Sequence, residues 1–279
     1  MAIANFIPEI WSANLLQPLQ KAEVFGGVCN RDYEGDISQA GDTVHITTVS
    51  DVTVGDYTPH TDISIEALSD TNQALIVNQS KFFAFEVDDV EKRQAISDVI
   101  APATSNAAYQ LADIADQYIA GLMKAGVDTG NKLTAVTSTD AAKLYETIVD
   151  LGVLLDEASV PSQGRWVVIT PAQYGLLLKD ERFISASDSA NATLRNGIVG
   201  EAAGFSVRKS NNVPTTSGVS TIIAGSSTAT TFAEQISSVE ATRKEKGFAD
   251  IVKGLHLYGA KVTRPKALAT VDYSISTGA

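Results

Sequence analysis

The pattern of apolar and polar positions changes period along the chain. Thr43-Val44-His45-Ile46-Thr47-Thr48-Val49 alternates as a strand does. Asp62-Ile63-Ser64-Ile65-Glu66 alternates too, with Ile63 and Ile65 on one face. Asp51, Gly55, Asp56 and Pro59 mark a turn region between them. The pattern predicts a long two-stranded excursion with few apolar side chains to bury. A two-stranded hairpin is marginal alone in water, so this one has to lean on something else.

Helical spacing follows. Asp88 and Glu91 have capping-box spacing and predict a helix start. Ile96, Val99 and Ile100 open an apolar stripe, and Ala103, Ala107, Leu111, Ile114, Tyr118 and Leu122 continue it to a stop at Gly126. Pro102 is a kink or a fresh start within it. Asp113 and Asp116 share a face beside the stripe and are expected in solvent. Ser138 or Thr139 is expected to cap a second helix with the stripe Leu144, Ile148, Leu151, Leu155 and Ala158, ended by Pro161 and Gly164. Trp166-Val167-Val168-Ile169 reads as a buried strand. A third helix starts at Thr170-Pro171-Ala172-Gln173, where Thr170 caps, Pro171 takes the first helical position and Gln173 completes a capping box. Tyr174, Leu177 and Leu178 then face inward. Helix, strand and helix over 138–179 predict a mixed α/β or α+β domain.

The ends differ from this middle. Phe6, Ile7, Ile10, Trp11, Leu15, Leu16 and Leu19 make an apolar arm, cut into short pieces by Pro8 and Pro18. Such an arm packs on its own body or lies on a neighbour. Residues 185–232 are rich in Ser, Thr, Asn, Ala and Gly. Short strands are expected there at Phe205–Val207 and Val219–Ile223, with turns at Asn211-Asn212 and Ser217-Gly218. Glu234–Thr242 and Val252–Thr263 read as two longer strands.

Charge sharpens the picture. The 279 residues carry 21 Lys and Arg against 33 Asp and Glu, a net charge of −12. That balance argues against a protein that lives by gripping nucleic-acid phosphates. The charges are also segregated. Residues 32–91 hold thirteen acids and one base, Lys81, whereas residues 241–266 hold seven bases and two acids. Phe248 and Tyr258 lie among those bases, a pattern also seen in nucleic-acid binders, but the acids elsewhere favour a salt-bridge surface.

Chemistry is sparse. One cysteine and three scattered histidines give no disulfide within the chain and no zinc spacing; Cys29 is expected to be a small buried hydrophobe. There is no phosphate-cradling Gly-rich loop ending in Lys-Ser/Thr and no G-x-S-x-G elbow. No run approaches the length of a membrane span. Catalytic and metal-binding residues and cofactors are therefore expected to be absent. A soluble enzyme and a surface adhesin or tail component remain as rival classes.

The order of the pieces resembles the major capsid proteins of tailed double-stranded DNA bacteriophages. The stretches that carry the resemblance are Val160–Pro171, Gly200–Val207 followed by Ser210–Pro214, and Phe248–Asp250 through Gly254–Val262. The resemblance implies an α+β fold with an N-terminal arm (1–30), an extended two-stranded loop reaching over an adjacent subunit (31–80), a peripheral domain with a long spine helix (81–132), an axial domain (133–235), and closing strands of the peripheral domain with the C-terminus (236–279). It further implies a protein that joins copies of itself as pentamers and hexamers into an icosahedral capsid around the phage genome. Assembly in the host bacterial cytoplasm, a separate scaffolding protein, a portal protein, a possible decoration protein and non-specific proximity to packaged DNA belong to the same expectation. The alternative is the shell of a cellular nanocompartment with this fold. Subunit contacts are expected at Phe6 and Trp11, and between Asp51, Asp56 and Asp62 of one copy and Arg243, Lys244 and Lys246 of another.

Overall fold

A computed structural model describes residues 21, 23–33, 43–49, 54, 56, 70–88, 100–180, 200–244 and 247–275. In chain order the described elements are β1 (Thr43–Val49), β2 (Asp70–Ile76), β3 (Gln79–Asp88), α1 (Ile100–Gly126), β4 (Lys132–Thr137), α2 (Ala141–Glu157), β5 (Arg165–Ile169), α3 (Pro171–Leu177), β6 (Glu201–Ala202), β7 (Phe205–Lys209), β8 (Thr215–Thr216), β9 (Val219–Ser226), β10 (Thr230–Arg243), β11 (Ala249–Val262) and β12 (Leu268–Ser274).

These strands form three sheets. The largest runs β4-β12-β9-β5-β7-β6, with β8 added to β9; β12 is parallel to β4, β5 is parallel to β7, and the other pairs are antiparallel. β5 is buried along its whole length because this sheet is covered on both faces. Trp166 and Val168 point into a core shared with α1, Phe25, Ile223 and Leu268. Val167 and Ile169 point into the other, filled by Leu144, Ile148, Leu151 and Leu155 of α2, and by Tyr174, Leu177, Phe205 and Tyr273. The predicted α2 stripe is thus the buried one. Its cap is Asp140 rather than Ser138 or Thr139: Ala142 N donates to Asp140 Oδ1, and Ser138 Oγ instead accepts from Asp140 N. At α3 the predicted capping box is present in both directions. Ser217 (φ 51°) and Gly218 (φ 82°) form the two-residue turn joining β8 to β9; two successive positive φ angles match the right-handed twist of a hairpin.

The second sheet, β10-β11-β3, is wholly antiparallel and packs one face on α1. Asp88 is the last residue of β3, opposite Ala249; the helix start expected from Asp88 and Glu91 lies outside the described residues. α1 begins at Ile100, so Pro102 falls in its first turn, where amide hydrogens have no intrahelical acceptor anyway, and the helix stops at Gly126 as expected.

The third sheet pairs β1 with β2, from Thr43↔Ile76 to Val49↔Asp70. The excursion therefore exists as a two-stranded ribbon, but the described partner of 43–49 is 70–76; the predicted strand at 62–66 lies outside the described residues. The ribbon's apolar support is a small cluster at one end: Leu75 and Val77, with Ala233 of β10 and Leu257 of β11, and with Val44, Ile46 and Tyr33 against it. Gly259 of β11 makes that approach feasible, since a Cβ there would stand 2.5 Å from the Ile76 carbonyl oxygen.

Candidate functional site

Among the described residues no group of three or more His, Cys, Asp or Glu is placed to hold a metal ion. The polar chemistry that the fold does concentrate lies at the root of the N-terminal segment, on α1.

The face of α1 turned inward is offset from the predicted stripe. Ala115, Ile119, Ala120 and Met123 are buried, together with Asp113 and Asp116, whereas Ile114 is 41% exposed. The expectation of solvent-facing aspartates is overturned, because residues 24–26 bring donors to Asp116, and Lys21, Asn212 and Gln117 bring donors to Asp113. Asp116 Oδ1 accepts from the backbone N–H groups of Val24 (3.1 Å), Phe25 (2.6 Å) and Gly26 (3.1 Å). Asn212, in the turn after β7, donates Nδ2 to Asp116 Oδ2 (3.0 Å) and Asp113 Oδ1 (2.7 Å). Lys21 Nζ reaches Asp113 Oδ2 at 3.2 Å, and the Lys21 amide donates to the Tyr109 hydroxyl. Burial pushes the Asp116 carboxyl up, and its four donors oppose that without cancelling it. Glu23 is pushed up as well, by burial first and then by Asp116, Asp113 and Glu234. The three elements clasped here are the arm root, the helix and the turn beyond β7. Sequence reading missed Asn212 as a partner because it is 96 residues from Asp116 in sequence; the only local signal is two acids placed three apart beside an alanine-rich face.

A second cluster ties the same segment to the sheet. Arg31 Nη2 donates to Glu234 Oε1 at 2.6 Å, and buried His256 donates Nε2 to Glu234 Oε2 at 3.2 Å. The Glu234 carboxyl is held below its ordinary value, by the His256 hydrogen bond first and then by Arg31 against the cost of burial. Asn30 forms a bridge with Thr231 of β10. Cys29 donates Sγ–H to the Phe25 carbonyl (3.2 Å), and burial pushes its thiol up to about 12, so it is an inert packing residue as expected.

The outer face of the β10-β11-β3 sheet carries Phe82 (77% exposed) opposite Leu255, flanked by Lys253–Glu240 (3.1 Å) and Lys244–Glu86 (2.7 Å). Of the predicted contact residues, Asp56 is exposed. Arg243 bonds Asp250 at 3.2 Å, its register partner on β11, and Lys244 bonds Glu86 of β3. The structure therefore gives both bases partners inside the chain. Phe6, Trp11, Asp51, Asp62 and Lys246 lie outside the described residues. Phe248, beside the turn between β10 and β11, is 79% exposed.

Comparison with known proteins agrees with this architecture. Residues 71–271 match the family model described as phage capsid protein. The chain is similar to a solved structure from Mycobacterium phage Che8, with 34% identity, 97% of this chain and 98% of that chain covered, and a TM-score of 0.84. It also superimposes on the capsid structure of the cyanophage P-SCSP1u, with 16% identity, coverage of 98% and 94%, and a TM-score of 0.81. The capsid of Ralstonia phage GP4 gives 14% identity, coverage of 100% and 99%, and a TM-score of 0.73. No curated protein matches the sequence.

Proposed function

Since the chain belongs to the phage capsid protein family, a family of self-assembling structural proteins of the virion, we propose that it joins copies of itself as pentamers and hexamers into an icosahedral shell around double-stranded phage DNA. The observation that carries this reading is the β1–β2 ribbon. Among the described residues it has one small apolar cluster at its base, and two-stranded sheets of that kind need a further surface. A neighbouring copy supplies one in every position of a closed shell. The acid-rich segment 32–91 and the base-rich segment 241–266 lie on separate parts of the chain, which suits register-setting contacts between copies. In this reading Asp51, Asp56 and Asp62 of the loop approach Arg243, Lys244 and Lys246 of a neighbour. The intrachain pairs Arg243–Asp250 and Lys244–Glu86 then widen into networks or exchange partners. Phe6 and Trp11 belong to the same set of contacts.

The arm root and the loop base are where one chain adjusts between five-fold and six-fold settings. The division into arm, loop, peripheral domain, axial domain and closing strands follows the boundaries given above. Assembly in the bacterial cytoplasm with a scaffolding protein, closure on a portal and binding of a decoration protein complete the proposal. The net charge of −12 per chain keeps a packaged genome from adhering to the wall.

The test is light scattering after size exclusion with negative-stain imaging of the same fraction, purified alone and with the scaffolding protein, followed by assay of nucleic acid in particles from infected cells. Closed shells containing DNA are expected. Particles whose lumen holds an enzyme and no genome would replace this reading with the nanocompartment shell. A chain that stays monomeric under every condition would overturn both.

A further inference from the structure

Strand β3 does not alternate as a strand with one face in water does. Phe82-Phe83-Ala84-Phe85 is a continuous apolar run, the pattern of a strand covered on both faces. Phe83 and Phe85 stack with 6.1 Å between ring centroids. Phe82 is 77% exposed, and Ala84 is exposed as well. An open cleft of about 450 Å³ lies there. Phe82, Phe83 and Ala84 of β3 and Gly254 and Leu255 of β11 line it, and the Lys253–Glu240 pair completes the lining. A second exposed aromatic, Phe248, stands at the turn from β10 to β11, next to the exposed Gly247. The sheet thus carries a hole on one face and a knob at its turn.

We propose that Phe248 of one copy enters this cleft on another copy, so that the β10–β11 turn and the β3–β11 cleft form a contact between subunits. The inference rests on the capsid reading and deepens it by naming a surface that joins the copies. Three arguments carry it. First, reach: a chain cannot fill its own cleft. Lys253, the lining residue of β11 nearest the turn, is five residues from Phe248, about 16 Å of strand at about 3.3 Å per residue. Second, fit: a cavity of about 150 Å³ already admits benzene, so this cleft takes a phenylalanine ring, and Phe82, Phe83 and Leu255 give it apolar and aromatic contacts. One such contact removes two large aromatic side chains from water. Third, charge: residues 243–250 hold three bases and two acids, a net positive tip on a chain of net −12. That tip is attracted to another copy, whereas the overall acidity makes copies repel. Inside the cleft Glu240 and Lys253 balance each other, so no unpaired charge opposes entry. A knob and a hole on different parts of one surface make a heterologous contact, the kind that generates rings when it closes.

The experiment uses full-length chains with Cys29→Ser. One chain carries Gly247→Cys and a second carries Ala84→Cys; they are assembled together and treated with a short bismaleimide. The nearest atoms to a Cβ at 247 belong to the flexible Lys244 side chain, and Ala84 is exposed, so both phenylalanines stay in place. Lys261→Cys, exposed near the far end of β11, replaces Ala84→Cys in the control. Each chain then has one cysteine, so every link joins two copies. Trypsin leaves peptide 247–253 joined to peptide 82–92 wherever the predicted link has formed. That link is expected in assembled particles and not in the control. Adding Phe248→Ala to the first chain should cut it at least about tenfold, as loss of an aromatic anchor does. Phe248→Ala alone should leave the melting temperature of free subunits unchanged and lower shell yield by a similar factor, and Phe248→Leu should restore part of it. Shells in which position 247 does not link to position 84, or links equally to position 261, would overturn the proposal and leave the capsid reading standing. Shell yield at the parent level from Phe248→Ala would do the same, and if those shells held less DNA the turn would be assigned to the genome instead. A parent chain that forms no particle under any condition would overturn the proposal and the reading together.

Discussion

At the scale of single residues, the decisive group is Asp116. Its carboxylate satisfies three consecutive backbone N–H groups that burial would otherwise leave without acceptors. Asp116→Ala should lower the unfolding free energy by about 1–3 kcal/mol, the usual cost of orphaning buried donors. Asn212→Ala should cost a similar amount, because it leaves two buried carboxylates facing each other. Urea midpoints of unassembled subunits check both. A loss well under 1 kcal/mol in either variant would mean that water replaces the clasp. The pH dependence divides by residue. Glu234 has a carboxyl held below its ordinary value, so its contribution is present above about 4.5 and is lost as pH falls through its lowered value. Asp116, pushed up by burial, acts in the opposite sense: its ionised form weakens the fold at neutral pH, and that cost disappears on acidification. Melting temperatures between pH 7 and pH 3 should therefore fall less steeply in Glu234→Gln than in the parent chain. An unchanged acid limb would show that Glu234 does not carry it.

At the scale of elements, the junction of β2 and β3 with β11 determines where the ribbon points. Gly259→Ala puts a methyl group against the Ile76 carbonyl, and either β11 or the ribbon base has to shift. The expected destabilisation is about 1–3 kcal/mol, as for other forced overpacking, with a larger relative loss of assembled particles than of soluble subunit. Equal recovery of both would dissociate the ribbon's placement from assembly. This scale also shows what the sequence makes legible. Thr170, Pro171 and Gln173 act within four residues, and the α3 cap follows directly from them. The α2 stripe is legible because four large aliphatic residues fall on one face. The inward face of α1 is not, because Asp113, Asp116, Ala115 and Ala120 share it with Ile119 and Met123, and an apolar count passes over it for the stripe that includes the exposed Ile114. The partner of β1 is equally hidden, since pairing across more than twenty residues is set by register against β10 and β11 rather than by local pattern. The clasp shares that difficulty: its acids are adjacent on a helix, but Lys21 and Asn212 arrive from opposite ends of the chain.

At the scale of the whole molecule, the described residues give the α/β core two large apolar clusters and the ribbon one small cluster at its base. Replacing Asp51, Asp56 and Asp62 together by Lys should leave the subunit folded and reduce shell yield, with the defect most pronounced at low salt, where surface charges are least screened. Sedimentation of particles against salt concentration checks this, and normal shells at every salt would exclude these acids from assembly. The central claim, that the fold is completed by other copies of the same chain, is tested most directly by cryo-electron microscopy of assembled particles at a resolution that traces the chain. The account predicts closed shells in which β1 and β2 of each chain lie on an adjacent subunit. Shells in which the ribbon instead folds back on its own chain, touching no other copy, would contradict it.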